Sequence, residues 1–320
     1  MRKRSLPGIV VTLLLIASVA PPAWAQGNQL KIVVGFTAGG ITDVFARLFA
    51  EEFRKHFGQT VIVENRAGGA GMVAASQVSR AQDDGSTLIM ISGGYTIIPA
   101  LQNLDFDPKT ALTPINLIAS APNLLLVASD AKYRDLKSLV DDARANPAAL
   151  AYGSSGVGAT VHFMAMQLER EAGIKLNHIP YKSSAESVQA VIGGHIPMSF
   201  SALNSAFPLI QAGQVRAIAI ATSKRSPLLP DVPTFAELGY AGVKSDTWTG
   251  IAGPAAMKSD AVARINEAVL KSLSIAEIRE RINALGAEPV GQGPSEFKAV
   301  IASEIDQFEQ LARGAGLPRN

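Results

Sequence analysis

Short apolar strands that end in glycine turns and lead into amphipathic helices recur along this chain, and this alternation constrains its fold more than any other feature. Residues 31–36 form a β-rich run that ends shortly before a Gly-Gly pair at 39–40. Behind the glycines, Phe45, Phe49 and Phe53 recur every fourth residue, which is the spacing of one helix face. This alternation predicts an α/β fold with a mostly parallel sheet covered on both faces.

The pattern continues through most of the chain. Strands are predicted at 61–63, 87–92, 150–152, 177–181, 198–201 and 248–254, and helices at 72–80, 136–145, 160–172, 185–192, 205–212, 260–273, 275–285 and 295–313. Glycine turns separate the first strands and helices of each series, as in residues 64–71 and 153–158. The series therefore begins a second time near residue 136, which indicates two α/β units.

Two long apolar runs, residues 115–129 and 215–222, have the length of crossover segments. Pro122 interrupts the first run and is disfavoured in a central strand, so either two strands or one bent crossover would satisfy it. We predict two lobes, one of residues 26–122 plus 228–320 and one of residues 123–227. Two lobes joined in this way enclose a cleft and close about a hinge, which we place near Pro122 and residues 222–224.

The first 25 residues are predicted to be a cleaved secretory leader. Three basic residues at 2–4 precede an apolar run over 8–20, and Ala23 and Ala25 supply the small residues of a cleavage site. The run is shorter than the ~20 residues that a spanning helix needs, so cleavage is favoured over an uncleaved anchor. Cleavage removes three of the 29 basic residues and none of the 27 acidic ones, which turns the formal charge of +2 slightly negative. The mature protein is predicted to be soluble and periplasmic.

Composition excludes several classes of function. Hydrophobic residues make up 48% of the 320 residues and charged residues 18%, which is typical of a globular chain with a sizeable core. The near balance of charge argues against nucleic acid as a partner. The chain has no cysteine, and its four histidines do not cluster, so neither a disulfide, a thiolate nucleophile nor a metal site is predicted.

The loop from Gly153 to Thr160 has the sharpest local pattern. Its glycine spacing resembles that of a phosphate-binding P-loop, but Ala159 stands where that motif requires lysine, which argues against a nucleoside triphosphate site. A glycine loop that enters a helix N-terminus still presents free N–H groups to an anion. Residues 37–43 repeat this construction after the first strand, and they lack the full glycine fingerprint of a dinucleotide site. Tight turns with a capping residue would also explain either loop alone, whereas two such loops favour a shared anion.

A serine hydrolase is the main alternative at the second loop. Ser154 and Ser155 lie in a glycine turn and His162 follows, but the segment is one residue short of the G-x-S-x-G nucleophile elbow. His162 would equally serve to bind a loop carbonyl or a ligand. Trp248 is interpreted as a core residue rather than a pocket wall.

Several segments resemble the Bug family, the periplasmic solute-binding proteins of tripartite tricarboxylate transporters. In chain order these are 36–43 with Ala46 and Arg47, 63–66 before the glycines at 68–71, 153–156 with His162, 178–182, Gly193 with Gly194, 229–234 with 237–239, and 248–250. The resemblance covers nearly the whole mature chain.

This resemblance implies a two-lobed periplasmic binding protein of the Venus-flytrap type, similar to type II, with two crossover strands. It implies a receptor without enzymatic activity or cofactor, monomeric, that delivers a small carboxylate to a two-component inner-membrane permease. A sensor that serves a membrane kinase is a further alternative. The implied ligand-binding residues are Gly39, Gly40, Ile41, Thr42 and Asp43 on the first lobe, and Ser154, Ser155, Gly156, Thr160 and His162 on the second, with Ser92, Tyr95, Tyr181, Ser183 and Ser184 along the cleft.

Two departures from the family pattern concern the second lobe. Ser183 follows Tyr181 and Lys182 where the family has glycine, and Pro197 stands where it has aspartate. The second change removes a carboxylate and weakens any expectation of a ligand that carries an amino group.

Overall fold

The computed structural model describes residues 29–319, so the predicted leader lies outside the described residues. The strands are β1 Leu30–Val34, β2 Val61–Asn65, β3 Thr87–Ser92, β4 Leu112–Ala128, β5 Ala151–Ser154, β6 Asn177–Pro180, β7 Met198–Ala202, β8 Val215–Ile220, β9 Asp246–Pro254 and β10 Glu288–Gln292. The helices are α1 Ile41–Phe57, α2 Met72–Ser79, α3 Gly94–Leu101, α4 Leu136–Ala145, α5 Thr160–Ala172, α6 Ser184–Ile192, α7 Leu203–Gln211, α8 Ser259–Ser274, α9 Ala276–Ala284 and α10 Pro294–Gly314. The predicted α/β class is confirmed.

One strand, β4, belongs to both halves of the sheet. The sheet runs β2-β1-β3-β9-β4-β7-β5-β6, and β8 and β10 also pair with β4. Residues 112–122 of β4 pair with β9, whereas residues 123–127 pair with β7. The interrupted apolar run is therefore one strand, and Pro122 lies where it changes partners. Two register shifts in the first half of β4 accommodate its irregular pairing with β9.

The chain leaves the second half of the sheet at Ser245. The strand β8 pairs with the second half of β4 only. Beyond it, Phe235 and Val243 pack into the core of that half, and β9 begins at Asp246. These contacts favour a return at residues 245–246 rather than at 227–228. The division of the chain into two lobes, and with it the position of this boundary, stays a prediction.

Each half has a core on both faces of its sheet. In β1, Leu30 and Ile32 pack in a cluster with residues of α1 and α8, whereas Val33 packs on the opposite face with residues of α2 and α10. In β4, Leu124 and Leu125 divide between two clusters in the same way. Burial of alternate side chains on both faces explains why these strands read as continuous apolar runs.

The two halves also meet through apolar side chains. Phe163 and Met166 of α5 pack with Ile97 of α3 and with Phe308 and Leu311 of α10. The rings of Phe163 and Phe308 are 4.9 Å apart between centroids. The helix that follows the second glycine loop is thus packed against the first half of the molecule.

Two elements were not predicted from the sequence. The helix α3 starts at a glycine and contains Pro99, and β10 contains Pro289 and Gly291, residues that normally disfavour these structures. Tertiary contacts stabilise both, since α3 packs on α10 and β10 pairs with β4. Within residues 29–319, no helix combines the length and the apolar content that crossing a membrane requires.

Candidate functional site

The first-lobe loop, residues 36–43, follows β1 and enters α1. Gly39 adopts a left-handed φ of 85°, and Gly40 is the extended N-cap of α1 without a side-chain cap. In the described part of the chain, the backbone N–H groups of Ile41 and Thr42 have no hydrogen-bond acceptor. Free N–H donors and the positive end of the helix dipole at such a first turn are suited to binding an anion.

Asp43 stabilises this loop through hydrogen bonds to its carboxylate. Its carboxylate accepts hydrogen bonds from the Gly39 N–H at 2.9 Å, from Arg47 at 2.9 and 3.1 Å, and from the Asn65 amide at 2.9 Å. The same Asn65 amide also donates to the Phe36 carbonyl at 3.1 Å. The side chain is 2% exposed. Asp43 is therefore fully used by the chain itself and orders the loop.

Hydrogen bonds keep Asp43 ionised. Burial raises its pKa, but the bonds from Arg47, Gly39 and Asn65 outweigh burial and lower the pKa to about 2. The negative charge of Asp43 is balanced by Arg47, so it does not oppose an anion at the adjacent N–H groups.

The second-lobe loop, residues 153–160, connects β5 to α5. Gly156 and Gly158 have φ values of 118° and 78°. A methyl group on Gly158 would lie 2.3 Å from Leu101 Cδ1, so any other residue would displace Leu101 and would also adopt a strained positive φ. Ala159 is the N-cap of α5 and supplies no side-chain cap. The second loop therefore repeats the construction of the first.

Three aromatic rings support the second-lobe loop. His178 of β6 stacks on His162 at 4.1 Å and on Tyr152 at 4.9 Å between ring centroids. His178 Nε2 lies 2.6 Å from Ser154 Oγ, and His162 Nδ1 accepts a hydrogen bond from the Gly158 N–H at 3.1 Å. Burial and, to a lesser extent, the charge of the neighbouring His178 together lower the pKa of His162 to about 4. Burial also lowers the pKa of His178, so both rings are neutral at neutral pH.

The turn at Ser92–Tyr95 lies between the two loops. A methyl group built on Gly93 would be 4.0 Å from Thr160 Oγ1 and 3.9 Å from Trp248 Nε1. Ser92 and Tyr95 line a cavity of about 10 Å³ behind the first-lobe loop. The Tyr95 hydroxyl donates to the Pro108 carbonyl at 2.7 Å, so it is used within the first half.

The segment 181–184 lies beside the second-lobe loop. The Tyr181 N–H donates to the Ser154 carbonyl at 3.0 Å, so Tyr181 is next to Ser154 and Gly156. The Ser183 hydroxyl accepts from the Glu186 N–H at 3.2 Å as the N-cap of α6. The serine that departs from the family pattern thus has a local role in capping.

The predicted residues fall into two groups that the structure brings near one another at Gly93 and Thr160. One group is the first-lobe loop with Ser92 and Tyr95, and the other is the second-lobe loop with residues 181–184. Three residues that take part in these networks were not predicted to belong to the site, namely Arg47, Asn65 and His178. Asn65 and His178 have partners 22 and 24 residues away, whereas Arg47 is one helical turn from Asp43, and all three fall within motifs that carry the family resemblance.

Trp248 is buried, as predicted, but has a polar partner. Its Nε1 donates to the Glu304 carboxylate at 2.9 Å, and Thr96 Oγ1 donates to the same carboxylate at 2.7 Å. Burial and, to a smaller extent, the charge of Asp246 raise the pKa of Glu304, and the two donors oppose this rise; the net result is a pKa of about 7. Glu304, Asp246 and Lys244 line a cavity of about 300 Å³ between α10 and the sheet.

The fold is shared with solved solute-binding proteins. The structure titled "R. palustris Rpa4515 with adipate" is 33% identical, covers 91% of this chain and 98% of its own, and superposes with a TM-score of 0.75. The structure titled MatC (Rpa3494) from Rhodopseudomonas palustris with bound malate is 30% identical, with coverages of 88% and 98% and a TM-score of 0.71. Both titles name a dicarboxylate ligand of those proteins.

Sequence comparison identifies the family of this chain. Protein BugT of Bordetella pertussis is 28% identical over 322 residues, which cover 99% of each chain. Residues 45–317 match the family model described as "Tripartite tricarboxylate transporter family receptor". The chain therefore belongs to the tripartite tricarboxylate transporter receptor family, and the resemblance to the Bug proteins that the sequence motifs indicate is confirmed.

Proposed function

We propose that this protein is a periplasmic receptor that captures a small organic carboxylate between two lobes and delivers it to a two-component inner-membrane permease. The observation that carries the proposal is the pair of glycine loops, each of which enters a helix without a side-chain cap. Uncharged backbone donors suit reversible capture of an anion.

Two further observations support the ligand class. Asp43 is neutralised by Arg47, so the first-lobe loop carries no free negative charge. Two solved relatives have titles that name adipate and malate as bound ligands. The predicted leader supports a periplasmic location.

Isothermal titration of the mature chain with adipate, malate, tricarboxylates, aromatic acids and amino acids tests the proposal. We expect saturable binding of at least one carboxylate and weaker or no binding of the matching amides. Absence of binding to every carboxylate would refute the ligand class.

A hydrolase is the second candidate, because Ser154 Oγ lies 2.6 Å from His178 Nε2, a distance typical of a nucleophile and its base. Ser154 is completely buried, and within residues 29–319 no carboxylate hydrogen-bonds to His178. The receptor proposal therefore expects no labelling of Ser154 by a serine-reactive fluorophosphonate. Labelling that disappears in Ser154→Ala would favour the hydrolase.

A further inference from the structure

The second-lobe loop has a conformation that needs support from outside itself. Gly156 and Gly158 both have positive φ values, and glycine loses more conformational freedom on folding than any other residue. A ligand that binds through loop amides requires those amides in fixed positions. What fixes this loop therefore contributes to affinity without touching the ligand.

His178 lies at the centre of the contacts that fix it. At the start of the loop, His178 Nε2 is 2.6 Å from Ser154 Oγ, which in turn accepts from the Gly156 N–H at 3.1 Å. At the end of the loop, His162 accepts from the Gly158 N–H and stacks on His178 with the ring planes 12° apart. One imidazole thus connects both ends of the loop.

The other face of His178 is anchored in the core. It stacks on Tyr152 with ring planes 20° apart, and Tyr152 is 1% exposed and contacts Phe200 edge to face. The parallel register of β5 and β6 pairs Tyr152 with His178, which brings the two rings together. The sheet therefore sets the position of the imidazole.

The Ser154 hydroxyl takes part in this network of contacts. It is completely buried, and its hydroxyl lies within hydrogen-bond distance of His178, of the Gly156 N–H and of the Gly156 carbonyl at 3.2 Å. A hydroxyl with these partners has little remaining capacity for a ligand.

We propose that His178 is a positioning residue for the carboxylate-binding loop, acting on Gly156 through Ser154 and on Gly158 through His162. The inference rests on the proposed function for the consequence in affinity. The loop geometry itself can be measured without a ligand.

Two substitutions separate the two contacts of His178. His178→Phe keeps a planar ring for stacking but removes the nitrogen that faces Ser154. His178→Gln removes the stacked ring.

In the ligand-free protein we expect amide hydrogen exchange, followed by NMR, to accelerate at Gly156 by about tenfold or more in His178→Phe, since one hydrogen bond is loosened. Exchange at Gly158 should change little in His178→Phe and accelerate in His178→Gln. His195→Gln, at an exposed histidine, is the matched control and should change neither amide.

Binding of adipate and malate by Ser154→Ala, His178→Phe and the double variant tests the route through Ser154. We expect each single variant to lose about tenfold in affinity and the double variant to lose no more than the larger single loss, because the two residues act in one chain of contacts. Unchanged exchange at Gly156 in His178→Phe, or additive losses of affinity, would overturn the inference. If the unmodified protein binds neither acid, that result bears only on the proposed ligand class. The exchange measurements alone then decide whether His178 positions the loop.

Discussion

Asp43 shows how a charged residue in the first-lobe loop can be structural. Its carboxylate is buried and receives four hydrogen bonds from Gly39, Arg47 and Asn65. Because these bonds lower its pKa from the ordinary 3.8 to about 2, its contribution to stability is present above pH 3.8 and is lost as the pH falls through 2.

We expect Asp43→Asn to lower the free energy of unfolding by about 2 kcal/mol at pH 7, from the size of this pKa shift. Urea denaturation from pH 7 down to pH 2 measures it, and the difference from the unmodified protein should shrink as the pH approaches 2. Asp105→Asn is the control, since Asp105 and its partner Arg80 are exposed and such pairs contribute little. Equal stability of Asp43→Asn and the unmodified protein at pH 7 would contradict the assignment.

Glu304 is expected to behave in the opposite way. Its pKa is raised from 4.5 to about 7, so the neutral form is favoured in the folded state. Stability is then present below pH 4.5 and is lost as the pH rises towards 7. The groups that face Glu304 are Thr96, Trp248 and Asp246, with Lys244 lining the same cavity.

The mature chain would contain Trp248 as its sole tryptophan, because Trp24 lies in the predicted leader. We expect its fluorescence to titrate with a midpoint near pH 7 and Glu304→Gln to abolish that titration. Glu304→Gln should also match or exceed the unmodified protein in stability at pH 8. A titration that persists in Glu304→Gln would assign it to another group.

At the scale of elements, the N-terminus of α1 allows a backbone donor to be removed alone. Gly40 has φ −73° and ψ 163°, a conformation that suits the residue before proline, and the first helical position tolerates proline. Ile41→Pro should therefore delete one N–H without breaking the helix.

We expect Ile41→Pro to weaken carboxylate binding by about 1.5–3 kcal/mol, the range for a hydrogen bond to a charged group. Ile41→Ala keeps the N–H and measures the loss of side-chain packing. Ser259→Pro places proline at the equivalent position of α8, where the N-cap Lys258 has φ −59° and ψ 138°, which also suits the residue before proline, and should leave binding unchanged. Calorimetry that finds Ile41→Pro no weaker than Ile41→Ala would exclude a ligand contact at this amide.

The elements themselves were largely predictable, because glycine turns and apolar periodicity are local signals. The networks in the site were not. Asp43 and Asn65 are 22 residues apart, and Ser154 and His178 are 24 apart; both pairs are joined only once adjacent parallel strands align. Sequence reasoning identified the loops and their glycines but could not identify which side chains support them. The helix α3 and the strand β10 were not predicted for a related reason. Their glycine and proline residues disfavour these structures locally, and tertiary contacts stabilise them instead.

At the scale of the whole molecule, α5 links the second-lobe loop to the first half through Phe163 and Phe308. Phe308 is 4% exposed. This apolar contact joins the two halves.

We expect Phe308→Ala to lower the free energy of unfolding by about 3 kcal/mol, as for other buried phenylalanines, and to open the two halves. Small-angle scattering should detect a larger radius of gyration without ligand and recovery when a carboxylate of the proposed ligand class is bound. Phe57→Ala, which removes a ring from the core of the first half alone, should not change the scattering. Identical scattering curves for Phe308→Ala and the unmodified protein would show that this contact does not control opening.

The place of Pro122 in β4 has a mechanical consequence. Immediately after it, the Asn123 N–H donates to the Ser245 carbonyl and the Asn123 carbonyl accepts from the Ala221 N–H, so three chain segments are fastened at one point. Proline has no N–H to contribute to the ladder, and a twist of the strand at residue 122 therefore breaks no hydrogen bond donated by that residue. We therefore expect any bending between the halves to occur at residue 122, directly beside the point where Asn123 fastens the three segments.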